Sequence, residues 1–280
     1  MRKRLIHIII IALCLTLCLS GCGYIHREID PHAGMVEVFN GAKNIWIVPE
    51  EGVPVNTILP EDFVVDPLGN KTYCGGEYAN AFRGIDVSSH QRDIDWQQVA
   101  DSGIRFAIVR VGGRYYGGEG ELYSDELYAQ NLQGARNAGL DVGVYFFSQA
   151  MNPDEAKQEA EYVIGLLEGY ELTMPVFFDW ERIGGGQGRA DNIENEVLTQ
   201  CAETFCETVE AAGYEAGIYF NLDTSYYGYE MARLTDYTFW CAAPGDYPYC
   251  YYAHDIWQYS FEGEVPGIQT SCDLDMIFVR

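Results

Sequence analysis

Pro175-Val176-Phe177-Phe178-Asp179-Trp180-Glu181 is a short apolar run that ends in two carboxylates two residues apart. Val176 to Phe178 read as a strand buried on both faces, the pattern of a parallel sheet covered by helices. Side chains alternate along a strand that rises about 3.3 Å per residue. A strand continuing through Glu181 therefore puts Asp179 and Glu181 on one side, with backbone anchors about 6–7 Å apart. An apolar strand has no structural use for two acids on one face, so the pair is expected at the strand's open end, for chemistry.

Working outward, similar runs recur on both sides: Gly84 to Val87, Phe106 to Val111, Val142 to Phe147, Gly217 to Phe220, Phe239 to Ala243, Ile256 to Tyr259 and Leu274 to Val279. With Val176 to Phe178 they make eight candidate strands. Helical patterns lie between the earlier ones. One opens behind Asp95, another runs from Tyr123 to Ala138 and closes on Gly139, a third is capped by Asn152-Pro153, and a fourth spans Glu194 to Ala212 before Gly213. The last four strands are too closely spaced for full crossover helices. The expected class is α/β, an eight-stranded (β/α) TIM-like barrel with reduced helices in its C-terminal part.

Chemistry on such a barrel sits where the strands finish. The polar residues there are Asp86, Tyr145, Asp179, Glu181, Tyr219, Asn221, Trp257 and Gln258, with Asp273 and Asp275 at the start of the eighth strand. The set is acids and aromatics, without a Ser-His-Asp arrangement, a phosphate-cradling glycine loop or a His cluster. Gly184-Gly185-Gly186 lacks the spacing of a dinucleotide turn and reads as a flexible active-site loop or a linker. Acids that move protons and aromatic planes that stack on sugar suit glycoside hydrolysis. A like charge close by raises one carboxyl pKa in the direction an acid needs.

Gly84-Ile85-Asp86-Val87-Ser88-Ser89-His90-Gln91, with Ile94-Asp95-Trp96 behind it, resembles the opening motif of the family 25 glycoside hydrolases, the Chalaropsis-type lysozymes. The resemblance continues through Tyr145-Phe146-Phe147, Asp179-Trp180-Glu181, Gly217-Ile218-Tyr219, Trp257-Gln258-Tyr259 and Asp273-Leu274-Asp275, and covers residues 83–280. It implies a flattened barrel and cleavage of the β-1,4 bond between N-acetylmuramic acid and N-acetylglucosamine in peptidoglycan. Carried over, Glu181 is the general acid and Asp179 orients and charge-stabilises the reacting sugar through its acetamido group. Asp86 and Asp273 line the groove, Tyr145 and Tyr219 form hydrogen-bonding walls, and Trp257 is the tryptophan expected as a sugar platform. No cofactor or metal is expected. The sixth strand reads Trp240-Cys241-Ala242-Ala243-Pro244 where the family usually ends in Tyr, which puts one subsite contact in doubt.

Upstream, Arg2, Lys3 and Arg4 precede an apolar run from Leu5 to Leu19, the make-up of a secretion signal over residues 1–21. Leu19-Ser20-Gly21-Cys22 resembles the lipobox of bacterial lipoproteins, which implies cleavage before Cys22 and lipidation of its thiol. The expected location is extracytoplasmic, lipid-anchored to the cell membrane. Residues 22–82 carry a hairpin signal, Val36 to Phe39 and Ile45 to Val48 around Asn40-Gly41, followed by a stretch dense in Pro and acid. They read as a stalk, with docking on the barrel of residues 83–280 as the other arrangement. The chain ends at Arg280 directly after the barrel, and a lipid anchor would take the place of wall-binding repeats.

The signal region holds three of the 17 basic residues and none of the 42 acidic ones, so the mature chain is more acidic still than the formal net charge of -25. Nucleic acid and anionic lipid surfaces want a basic footprint and are poor partners, so no nucleic acid is expected to bind. The expected partners are peptidoglycan glycan strands and, through the anchor, a membrane, with the protein a monomer. Cys74, Cys201, Cys206, Cys241, Cys250 and Cys272 permit three disulfides or serve as small buried residues. No C-x-x-C occurs, so zinc-type spacing is absent, and His90 and His254 read as structural. Two other functions compete with muramidase activity: a catalytically silent glycan-binding lipoprotein on the same barrel, and a barrel hydrolase or deacetylase acting on another N-acetylated glycan.

Overall fold

The computed structural model describes residues 30–66 and 70–280, which fall into two units divided between Met35 and Val36. In the first, the described residues 30–35 form a turn closed by Ala33 N–H donating to the Asp30 carbonyl and Met35 N–H to that of His32. The second contains, in chain order, β1 (Val36–Phe39), β2 (Asn44–Ile47), β3 (Phe63–Val65), β4 (Lys71–Tyr73), β5 (Asn80–Val87), α1 (Trp96–Asp101), β6 (Phe106–Arg114), β7 (Leu122–Ser124), α2 (Tyr128–Asn137), β8 (Asp141–Ser148), α3 (Pro153–Leu166), β9 (Val176–Trp180), α4 (Asn195–Ala211), β10 (Ala216–Asn221), α5 (Leu222–Tyr227), β11 (Thr238–Ala242), β12 (Ile256–Gly263) and β13 (Cys272–Val279).

All eight expected strands form and close a barrel in the order β5-β13-β12-β11-β10-β9-β8-β6, sealed by the pairing of β5 with β6. Neighbours are parallel except at β13, which runs antiparallel to both β12 and β5. This reversal decides the site. The first residues of β13 lie beside the last residues of β5, with Asp273 opposite Asp86. An acid at the start of the eighth strand thereby reaches the face where the parallel strands end.

Strand alternation divides the core into two layers. Phe106, Ile108, Phe177, Tyr219, Trp240, Ala242 and Ile256 pack together in one cluster, while their sequence neighbours Ala107, Val109, Phe178, Phe220, Cys241 and Trp257 pack in the other, which includes the helices' buried faces. Helix starts follow their local signals: Asp95 accepts from Gln98 N–H at 3.1 Å, and Asn152 accepts from Glu155 N–H at 3.0 Å ahead of Pro153. The helix expected from Tyr123 begins instead at Tyr128, because Tyr123 and Ser124 pair with Gly113 and Gly112 in the β6–β7 ribbon. Glycine is required there: a Cβ on Gly112 would sit 2.2 Å from the Tyr123 carbonyl oxygen.

Residues 36–66 and 70–79 dock on the barrel rather than forming a free stalk, and the barrel's first strand already begins at Asn80. The β1–β2 hairpin forms as its sequence predicts. Beyond it, Val55 bridges to Tyr252, Asn56 N–H donates to the Tyr251 carbonyl at 2.9 Å, and the Asn56 side chain donates to the carbonyls of Pro248 (2.7 Å) and Cys250 (3.0 Å). Val53, Ile58 and Tyr78 are buried in the barrel's outer core, and the Phe63 ring lies 5.4 Å from that of Trp257. A fully buried side chain of this size contributes about 1.5–3 kcal/mol. Apart from a single 3-10 turn that Pro60 opens (Pro60–Asp62), the described part of the proline-rich segment has no helix and follows the surface. Cys22 lies outside the described residues. Among the described residues no helix is long and apolar enough to cross a membrane.

Candidate active site

The strand ends bring Asp86, Tyr145, Asp179, Tyr219, Gln258, Asp273 and Asp275 to one mouth of the barrel, with Glu181 immediately after β9. Trp240 forms the floor. Its indole meets Tyr219, Phe177 and Tyr145 edge-on at ring distances of 4.7, 5.3 and 5.9 Å. Its Nε1 donates to Asp275 Oδ1 at 2.9 Å.

One amide ties three strands together above this floor. Gln258 Nε2 donates to Asp86 Oδ2 at 2.6 Å and to Asp273 Oδ2 at 3.1 Å, and Gln258 Oε1 accepts from the Tyr219 hydroxyl at 3.0 Å. On the other side, Arg110 donates from Nε and Nη2 to Asp125 Oδ2 at 3.0 and 2.8 Å, while Ser89 N–H donates to the same oxygen. The guanidinium so held is a fixed positive charge facing the acids.

The acids repel one another in a place with little water, and every pKa among them rises. Asp179, only 5% exposed, is raised well above the ordinary carboxylate value by burial and then by Glu181, against a lowering pull from Arg110. Glu181 is half-buried in the fold yet reaches about 7, through burial and then the charge of Asp273. Asp273 rises to about 6 by burial. Asp86 and Asp275 are pushed well up, chiefly by burial, with Asp275 and Asp273 acting on Asp86. Asp179 Oδ1 is buried without a hydrogen-bond partner. A buried acceptor left bare is costly, about 1–3 kcal/mol, and an incoming N–H or O–H would satisfy it. The arrangement can therefore hold a proton on one carboxyl near neutral pH beside a second that seeks a donor.

Six of the seven residues expected at the site meet there: Asp86, Tyr145, Asp179, Glu181, Tyr219 and Asp273. Trp257 does not. It is fully buried in the outer core, stacked near Phe63 and Tyr259, and its Nε1 donates to the Ala243 carbonyl at 2.8 Å. Because neighbours on a strand face opposite ways, placing Gln258 inward turns Trp257 outward. Asn221 is spent as the N-cap of α5, accepting from Thr224 N–H. Trp240 and Arg110 were not singled out by the sequence. Arg110 had left a signal, a lone cation inside an apolar strand; Trp240 had left none, since either alternation phase of its strand reads as apolar. The three glycines at 184–186 all take positive φ, of 78°, 62° and 69°, in the loop after Glu181. Asp191 fastens that loop by accepting from Ile183 N–H (2.8 Å) and Gly188 N–H (3.1 Å).

Comparison with known proteins places this geometry. The family model described as Glycosyl hydrolases family 25 matches residues 85–268. The chain is 29% identical over 195 residues to an autolytic lysozyme of Clostridium acetobutylicum, covering 69% of this chain and 55% of that one. It is 25% identical to lysozyme M1 of Streptomyces globisporus, covering 68% and 66%. Among solved structures, the modular autolysin LytC from Streptococcus pneumoniae superposes with a TM-score of 0.62 at 24% identity, over 76% of this chain and 51% of that one. A bacterial lysozyme from Streptomyces coelicolor superposes with a TM-score of 0.56 at 23% identity, over 70% and 92%. The chain thus spans little more than half the length of some of the relatives it matches.

Proposed function

The chain belongs to glycosyl hydrolases family 25, and from that premise we propose that it is a muramidase, hydrolysing the β-1,4 bond between N-acetylmuramic acid and N-acetylglucosamine in peptidoglycan. The observation that carries the reading is the Asp179–Glu181 pair, two carboxyls with raised pKa values at one aromatic-floored mouth. Its relatives named as lysozymes support the substrate class.

Glu181 gives its proton to the glycosidic oxygen as the bond from the muramic acid C1 to that oxygen breaks, so the departing glucosamine leaves as an alcohol. Asp179 accepts from the acetamido N–H of the reacting sugar through its bare Oδ1 and, ionised, stabilises the positive charge growing at that ring. The acetamido donor favours the Asp179 anion and so leaves the pair's shared proton on Glu181. Glu181 then takes a proton from the water that completes hydrolysis. Asp86 and Asp273, fixed by Gln258, line the groove, and Tyr145 and Tyr219 wall it.

The signs give a pH profile. Glu181 must be protonated, so release of soluble fragments from purified peptidoglycan falls as pH rises through about 7. Asp179 must be ionised, and its raised pKa places the acid limb above the ordinary carboxylate range. A rate that stays flat from pH 6 to about 9 contradicts the role given to Glu181.

The proposal includes an anchor: Cys22, lipidated after cleavage of residues 1–21, holds the protein on the outer face of a membrane. Support comes from Leu19-Ser20-Gly21-Cys22 behind the apolar run. One anchor unit carrying several acyl chains would hold firmly, each buried methylene contributing about 0.8 kcal/mol. Cys22→Ser is expected to move the protein from the membrane fraction to the soluble one; an unchanged membrane fraction contradicts the lipid anchor.

A further inference from the structure

Away from that mouth, the outer wall of the barrel gathers a second set of reactive side chains. Cys241 lies on β11 and faces outward, while Cys250 and His254 come from the segment between β11 and β12. All three are buried, at 0, 2 and 4% exposure, and their two sulfurs and a ring nitrogen lie within 4.8 Å of one another. His254 Nδ1 is 3.0 Å from the Tyr252 carbonyl. In the tautomer that donates this bond, Nε2 is a bare acceptor, and Nε2 is buried with no partner at all. A histidine whose Nδ1–H is fixed by a backbone carbonyl and whose Nε2 is left open is oriented as metal-ligating histidines are.

We propose that Cys241, Cys250 and His254 form a structural zinc site. Two thiolates and one neutral imidazole are ligands that zinc favours. The group is electrically neutral once two thiol protons leave, one from each cysteine, as the cation enters, so it suits a site without water. The Ser225 hydroxyl, which donates to the Leu222 carbonyl at 3.0 Å, lies 4.0 Å from the Cys250 sulfur, and its lone pair or a water would take the fourth corner of a tetrahedron. Eight residues separate the two cysteines and three separate Cys250 from His254, so the ligands come from strand and loop together and no C-x-x-C marks them.

Its consequence is mechanical. The loop that supplies Cys250 and His254 also receives the docked extension, through the Val55–Tyr252 bridge and the Asn56 bonds to Pro248 and Cys250. Zinc would pin this loop to β11 and, through it, hold the extension on the barrel. The same two thiols could instead lose two electrons and two protons to an external oxidant and close a disulfide, which would destroy the site.

The test uses the full chain, reduced, stripped of metal with a chelator, then given one equivalent of zinc. The expected result is one zinc retained per chain, with an X-ray absorption shell containing two sulfurs at about 2.3 Å and a nitrogen at about 2.0–2.1 Å. The unfolding midpoint rises by several degrees with zinc and falls again with chelator. His254→Gln loses the metal, and Cys74→Ser, at an exposed cysteine elsewhere, keeps it. Should His254→Gln fail to fold, the absorption spectrum of the unaltered protein decides alone. No zinc retained, a shell of oxygens only, or a Cys241–Cys250 disulfide in alkylation mass spectrometry of the exported protein overturns the proposal.

Discussion

Replacing Glu181 with Gln is expected to lower the rate of peptidoglycan solubilisation by about 10²–10⁴-fold, the range over which a positioned general acid contributes. Gln keeps the shape and a hydrogen-bonding head but has no proton to give to the leaving oxygen. Loss of fold would not explain the result, because the substitution removes a destabilising charge. Glu181 binds its proton more tightly in the folded state than an ordinary carboxyl does, so its ionisation counts against folding, a cost that builds from the ordinary carboxylate range upward and is complete above about pH 7. Glu181→Gln should therefore unfold at the same temperature as the parent or higher at pH 8, while its activity collapses. Since its arm of the pH profile depends on this carboxyl, the residual rate should also lose the fall near pH 7. A variant that retains a tenth of the activity or more would remove Glu181 from the chemistry.

Asp179→Asn is expected to cost about 10²–10³-fold, the scale of removing one preorganised electrostatic contact to a developing charge. The amide cannot carry the negative charge that the reacting ring requires. It also presents N–H where the sugar's acetamido group presents N–H. A second readout separates this role from packing: the repulsion by which Glu181 raises Asp179 is reciprocal, so an enzyme that works with Asp179 ionised holds the Glu181 proton more tightly than burial and Asp273 alone would, and Asp179→Asn releases it at lower pH. The alkaline limb should therefore move down. An Asp179→Asn variant that is slow but keeps its alkaline limb in place would mean that the two carboxyls do not share a proton.

Much of this was legible in the chain because it depends on local pattern. Eight apolar runs, each bounded by turn residues, gave the strands, and both acids reach one mouth although the strand expected to continue through Glu181 ends at Trp180, which leaves Glu181 on the first residue after it. What the chain did not show depends on partners far away in sequence. Either of Trp257 and Gln258 could have faced the groove. The choice falls to Gln258 because Asp86, Asp273 and Tyr219, from three other strands, all bond to its amide, while Phe63 and Tyr259 take the indole. Asp273 reaches the site only because the last strand runs backwards, and its pairing with β5 closes across nearly the whole barrel sequence. Tyr123 left its helix for a ribbon with Gly112 and Gly113. The extension read as a stalk by composition, yet Val53, Ile58 and Tyr78 find apolar cover on the barrel, something that no window of sequence displays.

The most direct measurement is mass spectrometry of the fragments released when the full chain and its Glu181→Gln variant are incubated side by side with purified peptidoglycan. The account predicts new reducing ends on N-acetylmuramic acid with the unaltered chain and almost none with the variant. Reducing ends on N-acetylglucosamine, acetate release without chain cleavage, or binding with no new ends from either protein would contradict it.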